Sequence, residues 1–549
     1  MFRVTYGLVL AGLVGACGGD DGAPADDEST GMVGGTEGDS TGTPGTTSAV
    51  DDSSGGTDDS GGTSTGPMPE PLPPLDAVPL TTEQVIVPTH AIDDPPVLDP
   101  RQVDQRQQLL DEGYGDFDLG PGEAVMEMTP DGSPAPAPGP GAVLLARFAH
   151  LADSQLADDE SPTRVVVLDN PVVDGAFRAQ ESHSCHVLNA AVRTLNAVNA
   201  AMPLDFVVLG GDNADSAQRN EVEWFLSIMD GATFVHCDSG DDDDPEPGPD
   251  NDVKDPFAPV GLDVPWIWVS GNHDVHVQGN FSVTSMADAA VGTNVGSATR
   301  DWSQPGGPVF NGPVVADARR ELLDGPSLMT TVSAAGDGHG IDASLVDGGR
   351  ATYAWDAPVG GLRIIVVDST NDIGGSDGVI RQSQVDDEIR PMLDQAETDG
   401  MLVMVATHHA SGSLTDNGGL PGVEPYADAL SEDDWQAFLG EYPNVIAHLC
   451  GHSHVNRVQL VEPMGGNLYW EITTSAIIDW PHQMRMVEVF DHDNGWLSMR
   501  LVSVDYATDG DAFGAEGRAL GIADHIGGWV GDGYGEATDR NVELWIPAP

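Results

Sequence analysis

Apolar residues in this chain of 549 residues gather into short runs, and run after run ends in a polar side chain able to bind or react. A Val-, Leu- and Phe-rich segment from Ala142 to Ala152 predicts a strand ending at Asp153-Ser154-Gln155. From Cys185, apolar Val187, Leu188, Ala191, Val192, Leu195 and Val198 recur at the helical period. Phe206 to Leu209 predicts a second strand, running into Gly211-Asp212-Asn213-Ala214-Asp215, and Glu221 to Met229 a short helix. Trp266 to Val269 predicts a buried strand ending at Gly271-Asn272-His273-Asp274. Further on, strands are expected around Tyr353 and at Ile364 to Val367, then a helix from Ser383 to Ala396. Leu402 to Ala406 predicts a strand ending at Thr407-His408-His409. A helix around Trp435 precedes Val445 to Leu449, a strand ending at Cys450-Gly451-His452-Ser453-His454. Strand-like pieces follow at Leu468 to Ile478, Met484 to Phe490 and Leu497 to Val504. Strands alternating with helices predict βαβ units and a layered α/β fold, which binds ligands beyond the carboxyl ends of its strands.

The flanking segments read differently. Residues 1–17 carry one arginine and an apolar run from Val4 to Ala16, shorter than the about 20 residues a membrane span needs. This is the pattern of a secretory signal, and its end, Val14-Gly15-Ala16-Cys17, resembles a bacterial lipobox. That resemblance implies cleavage before Cys17, lipidation of its thiol, and export to the bacterial cell envelope, with membrane contact only through the anchor. Residues 18–75 are Gly, Ser, Thr, Asp and Pro with almost nothing apolar, so they predict a disordered linker. Such a coil has a root-mean-square span of roughly 40–45 Å. Residues 76–140 are expected to form an extension wrapped on a main domain at 141–505. Inside that domain, Asp238 to Pro256 reads as an acidic insertion and 275–350 as a long loop or cap, while 506–549 reads as a glycine-rich appendage.

Charge narrows the function classes. Eighty-nine acids against 21 bases give a net charge of −68, with Lys254 the single lysine. A chain this acidic is no nucleic-acid binder and repels itself in solution, an adaptation suited to salty surroundings. Of the three cysteines beyond Cys17, Cys185 and Cys237 are a candidate bridge, and Cys450 ends an apolar run as a small hydrophobe would.

Five predicted strands thus end in potential ligands: Asp153 with Gln155, Asp212, Asn272, His408, and His452 with His454. Carboxylate, amide and imidazole together suit Mn, Fe, Zn or Mg. Two such ions can clamp the attacking and leaving oxygens of a phosphoryl displacement. The ordered motifs Asp153-Ser-Gln155, Gly211-Asp212-Asn-Ala-Asp215, Gly271-Asn272-His273-Asp274, His408 and Gly451-His452-Ser-His454 resemble those of the calcineurin-like metallophosphoesterases over roughly 142–505. The resemblance implies a four-layer α/β/β/α sandwich, two divalent metals, a phosphoester substrate, and attack by a hydroxide held between the metals. It puts Asp153, Asp212 and His454 on one metal and Asp212, Asn272, His408 and His452 on the other. It makes His273 the catalytic histidine, Asp274 the residue that orients its ring, and Asp215 a structural acid.

Gln155 departs from the family's Asp-x-His; its amide oxygen can ligate, but it is neutral and harder than imidazole. A catalytically weak or inactive metal-binding surface lipoprotein is the alternative this raises. His409 remains a substitute for His408. His448 reads as a packed core histidine, and His183-Ser-Cys185-His186 lacks zinc-site spacing. His276 is placed in a loop near substrate, Asp241 to Asp244 in a solvated loop without EF-hand spacing, and Asp479-Trp480-Pro481 in a turn. Trp480 is a candidate for the pocket rim and Arg219 for a phosphate contact.

Overall fold

Two β-sheets packed face to face form the core of the computed structural model, which describes residues 69–171, 175–240, 242–418 and 424–549. The leader with Cys17, the linker as far as residue 68, and Asp241 lie outside the described residues. One sheet has six strands, in the order Tyr353–Asp356, Leu362–Val366, Leu402–Ala406, Val445–Cys450, Tyr469–Thr473 and Arg457–Val461. Its middle four are parallel, with Ile364 opposite Met404 and Leu449 opposite Ile472. The other has seven, in the order Met126–Met128, Val542–Pro547, Trp496–Asp505, Gln483–Asp491, Val143–Leu151, Phe206–Leu209 and Trp266–Ile267. Its last three are parallel. The apolar runs are continuous rather than alternating because both faces of these strands are covered.

Aromatic side chains join the sheets. Phe148 stacks on Phe206 at 4.8 Å, and the edge of Trp355, from the other sheet, meets Phe206 at 4.9 Å. At the far end Trp470 Nε1 donates to the Trp545 carbonyl at 3.1 Å. Helices Ser184–Ala201, Arg219–Asp230 and Ala512–Ile526 lie on one outer side, while the helical stretch from Gln382 to Asp399 and helix Glu432–Leu439 lie on the other, which completes α/β/β/α. Helix Arg219–Asp230 buries Val222, Phe225, Ile228 and Met229 and stops at Gly231, whose φ of 70° suits a residue without Cβ. Among the described residues, no helix is long and apolar enough to cross a membrane.

Cys185 and Cys237 form a disulfide with a sequence separation of 52 residues. In the chain-entropy picture a loop of that size is worth roughly 4 kcal/mol. Cys450 is a free, buried thiol.

Five regions differ from expectation. The tail after Asp505 is no appendage: Ala512–Ile526 is a largely buried helix, and Val542–Pro547 pairs with Trp496–Asp505 in the main sheet. The 275–350 region is not one loop but short helices, Val283–Ala290, Gly325–Ser333 and Ala343–Gly348, with small two-stranded ladders. Trp266–Val269 pairs only through its first two residues, after which the Trp268 N–H turns to the His339 carbonyl. Arg457–Val461 is a strand that the apolar pattern did not announce. The end of the linker is also engaged: Arg193 donates Nε to the Pro73 carbonyl at 2.8 Å and Nη1 to the Asp509 carbonyl at 2.7 Å.

Candidate metal centre

The loops that follow five parallel or near-parallel strands meet at one end of the two sheets, and their backbones are bent to do so. Asp153 (φ 54°), Gln155 (37°), Asp212 (53°), His452 (69°) and His454 (57°) all occupy the left-handed region. Such a conformation costs on the order of 1 kcal/mol or more per residue and persists only where its surroundings enforce it. Hydrogen bonds enforce it here: Asp153 N–H donates to the Gly211 carbonyl at 3.0 Å and Gln155 N–H to the Asp212 carbonyl at 2.9 Å. Two glycines leave room for the acids. A Cβ on Gly271 would lie 2.2 Å from Asp212 Oδ1, and one on Gly451 2.6 Å from Asp153 Oδ2.

Ligand atoms of Asp153, Asp212 and His408 lie within 4.8 Å of one another. His408 donates Nδ1–H to the Gly210 carbonyl at 2.7 Å, which leaves Nε2 facing Asp212 Oδ2 at 3.0 Å and Asn272 Oδ1 at 3.1 Å. His454 donates Nδ1–H to Asp479 Oδ2 at 2.7 Å, with Nε2 at 3.4 Å from Asp153 Oδ1. The His452 ring packs on His408 at 5.1 Å, and the backbone N–H of His452 donates to Asp153 at 3.1 Å. Gln155 donates Nε2–H to Asp212 Oδ2 at 3.3 Å, while its Oε1 is buried without a hydrogen-bond partner. All seven residues therefore converge, and among them Gln155 Oε1 keeps its lone pairs without a partner, as a cation ligand would.

The electrostatics agree. Burial works against the charge on Asp212, yet His408 and His273 hold its carboxyl well below the usual range. Burial likewise lowers His408, but Asp212 more than offsets it and lifts the ring to about 9. His454 rises to about 10 against burial because Asp153 and Asp479 flank it. Burial and then His408 push His452 down to about 3. The carboxylates here borrow positive charge from imidazoles, the groups that give it up most readily when a cation arrives.

His273 is held differently from the sequence expectation. Its Nδ1–H donates to the Asp215 carbonyl at 2.8 Å, with Asp215 Oδ1 at 3.3 Å. Asp274 does not touch the ring. It accepts from the N–H groups of Asn213, Ala214 and Gly271, and burial with Asp212 close by raises it to about 7. Asn272–Val275 is a helical turn, in which adjacent side chains point apart, so the residue next to His273 cannot orient it. Two residues that sequence reasoning did not place at the site extend it. Asp479, expected only as part of a turn, joins His454 to Arg178 Nε at 3.0 Å; Arg178 Nη1 then reaches Asp215 at 3.5 Å. A chain of ion pairs thus runs from His454 to His273.

The family profile described as Calcineurin-like phosphoesterase matches residues 146–456 of this chain. The chain belongs to that family. Among solved structures it is similar to the sulfate thiohydrolase SoxB of Thermus thermophilus in complex with glycerol, at 11% identity and a TM-score of 0.28, over 71% of this chain and 60% of that one. It is similar as well to GAP50, the anchor in the inner membrane complex of Plasmodium, at 11% identity and a TM-score of 0.26, over 72% of this chain and 98% of that one. The chain thus spans 60% of the length of SoxB, and at these scores neither likeness bears on substrate or site. No curated protein matches the chain.

The remaining candidates resolve by their partners. His409 uses both ring nitrogens, on Ser369 Oγ at 2.8 Å and the Ser376 carbonyl at 2.9 Å, which favours His408 as the inward ligand. His448 is a core histidine between Thr407 and Glu471. Near Cys185, His186 packs between Phe257 and Phe513, and His183 faces Glu516. His276 is buried in a two-residue ladder with Phe281–Ser282. Trp480 does not form a rim: it is buried beside His525 and Tyr534. Arg219 is paired with Glu321 at 2.8 Å.

Proposed function

We propose that this phosphoesterase is an exported, lipid-anchored hydrolase of phosphate mono- or diesters that works with two divalent metals drawn from Mn, Fe, Zn and Mg. The observation that carries the reading is the convergence of Asp153, Asp212 and His408 within 4.8 Å, with the buried Gln155 Oε1 left without a partner beside them. Asp153, Gln155, Asp212 and His454 are the residues suited to one ion, and Asp212, Asn272, His408 and His452 to the other, with Asp212 shared. When bound, the metals would neutralise phosphate charge and activate water. The protein's own contribution begins at His273. Asp215 fixes Nδ1–H of that ring, so Nε2 is available to stabilise charge on the phosphoryl group and to protonate the departing alcohol oxygen. Arg178 and Arg164 are committed to Asp479, Glu181 and Asp215. Substrate affinity therefore depends on the metals more than on arginine. Export and anchoring rest on the Cys17 segment of the sequence alone.

Gln155 favours a second reading, a metal-binding surface lipoprotein of little or no activity, because a neutral amide weakens one of the two sites. The deciding experiment strips the protein with chelator, restores manganese, and follows hydrolysis of a chromogenic phosphodiester and a chromogenic phosphomonoester, with His273→Ala in parallel. Metal-dependent turnover that His273→Ala abolishes, with metal still bound, supports the enzyme. Metal binding without turnover on either ester supports the second reading.

A further inference from the structure

The loop that leaves the metal centre at Gln155 continues to Asp158-Asp159-Glu160, where a second group of acids is buried. Asp158 is satisfied by Arg320 Nε at 2.9 Å, Asn220 Nδ2 at 2.8 Å and Ser239 Oγ at 2.7 Å. Asp159 is satisfied by Lys254 Nζ at 2.9 Å, Trp302 Nε1 at 2.7 Å and Arg300 at 3.5 Å. Three more carboxylates, Glu160, Asp238 and Asp243, bring one oxygen each within 4.8 Å of the others. Calcium binds oxygen at roughly 2.3–2.6 Å, so two oxygens on one ion stand at most about 5 Å apart. The spacing is that of ligands around a single ion.

Asp238 supplies the independent observation. It is fully buried, and neither of its carboxylate oxygens makes a well-formed hydrogen bond, although the backbone N–H of Asp243 is near enough to favour its charged form. The nearest basic groups, Lys254 Nζ and His236 Nε2, both stand 3.9 Å away, beyond hydrogen bonding. Lys254 does not balance the group. Its ammonium is taken up by Asp159 at 2.9 Å and Glu160 at 3.4 Å, which leaves Asp238 the farthest of its three partners at 3.9 Å. Burial, reinforced by Asp159 and Asp243, outweighs Lys254 and pushes Glu160 up to about 10; burial likewise raises Asp238 to about 7. Asp238 cannot swing out to water, because its neighbour Cys237 is bridged to Cys185 and Ser239 is tied to Asp158. The three proposed donors are all carboxylate oxygens, a hard set that suits calcium over the transition metals.

We propose that Glu160, Asp238 and Asp243 bind one calcium ion, distinct from the ions of the metal centre, which fastens the acidic Asp238 to Pro256 segment to the body of the protein. The test uses the full chain, stripped with EGTA and titrated with calcium alone by calorimetry and thermal melting. His408→Ala serves as a control that impairs the metal centre, and Asp243→Asn, at a half-buried position, spares the core. Wild type and His408→Ala should bind calcium and gain about 3 °C or more in melting temperature at saturation. Asp238→Asn and Asp243→Asn should each lose most of that gain. In EGTA, Asp238→Asn should melt no lower than wild type, since it removes an unpaired buried charge. A calcium shift that is absent in wild type, retained in Asp243→Asn, or lost only in His408→Ala overturns the proposal, the last by assigning the calcium to the metal centre.

Discussion

Two buried sets of carboxylates meet at one loop, through Asp153 in the first and Asp158 and Asp159 in the second, and they are neutralised in opposite ways. Asp153 and Asp212 face imidazoles, His454 Nε2 at 3.4 Å and His408 Nε2 at 3.0 Å. Asp158 and Asp159 face Arg320 and Lys254, both at 2.9 Å. An imidazole releases its proton and offers a lone pair once a metal arrives, whereas a guanidinium never does. The first pairing is exchangeable and therefore suited to chemistry, and the second is permanent and therefore structural. Backbone strain and glycine clearance follow the same division, since the left-handed Asp153, Gln155 and Asp212 belong to the exchangeable set.

Substitutions can break this contrast from either side. The largest effect is expected at His408→Ala, which should lower kcat/KM by roughly 10³-fold, about 4 kcal/mol of transition-state stabilisation. Metal analysis should show reduced occupancy while circular dichroism stays native. Arg320→Met should do the reverse. It leaves Asp158 buried and unpaired, so denaturant melts should show a loss of about 3–5 kcal/mol, with turnover per folded molecule unchanged. Asp479→Asn tests whether the outer carboxylate on His454 strengthens that ligand. Metal affinity should fall about 10- to 100-fold, read by competition with a chromogenic chelator, and excess metal should restore kcat.

The smallest effect is expected at Glu221, which lies between the two sets and accepts from Asp158 N–H at 2.9 Å and Ser216 N–H at 2.7 Å. Burial, followed by Asp215, raises it to about 8. Because the folded value lies above the ordinary one, its stabilisation is complete below about pH 4.5 and is lost as pH rises through about 8. Glu221→Gln removes that dependence, while the cost of an amide in place of a carboxylate does not vary with pH. Between pH 5 and pH 8 the melting temperature of wild type should drop relative to the variant by about 2–4 °C.

Much of the fold was legible because its central strands are buried on both faces. Phe206–Leu209 and Leu402–Ala406 read as unbroken apolar runs, and the chemistry-bearing residues follow them at once. Helix Ala512–Ile526 was hidden by its own glycines. Their purpose is contact: a Cβ on Gly517 would meet Val187 Cγ2 at 2.8 Å, and one on Gly521 would meet His482 Nε2 at 2.2 Å. Helix propensity scores those glycines as breakers, whereas the tertiary packing needs them. The convergence of Asp153, Asp212, Asn272, His408, His452 and His454 was legible, because each of their motifs follows a strand. Asp479 and Arg178 were not legible. Their pairing joins residues 301 positions apart, and nothing in either neighbourhood announces it. Asp274 was misassigned for the opposite reason, since adjacency in sequence was taken for adjacency in space.

The lone lysine has a practical meaning for handling the molecule. Lys254 is only 2% exposed at its side chain and is held by Asp159 and Glu160. Amine-reactive dyes, succinimidyl biotin and aldehyde fixatives will find no accessible lysine on the folded protein. Labelling or immobilisation should go instead through the carboxylates that crowd its surface, or through a lysine introduced at a chosen exposed position, which would react there alone among side chains and so give a uniformly oriented layer.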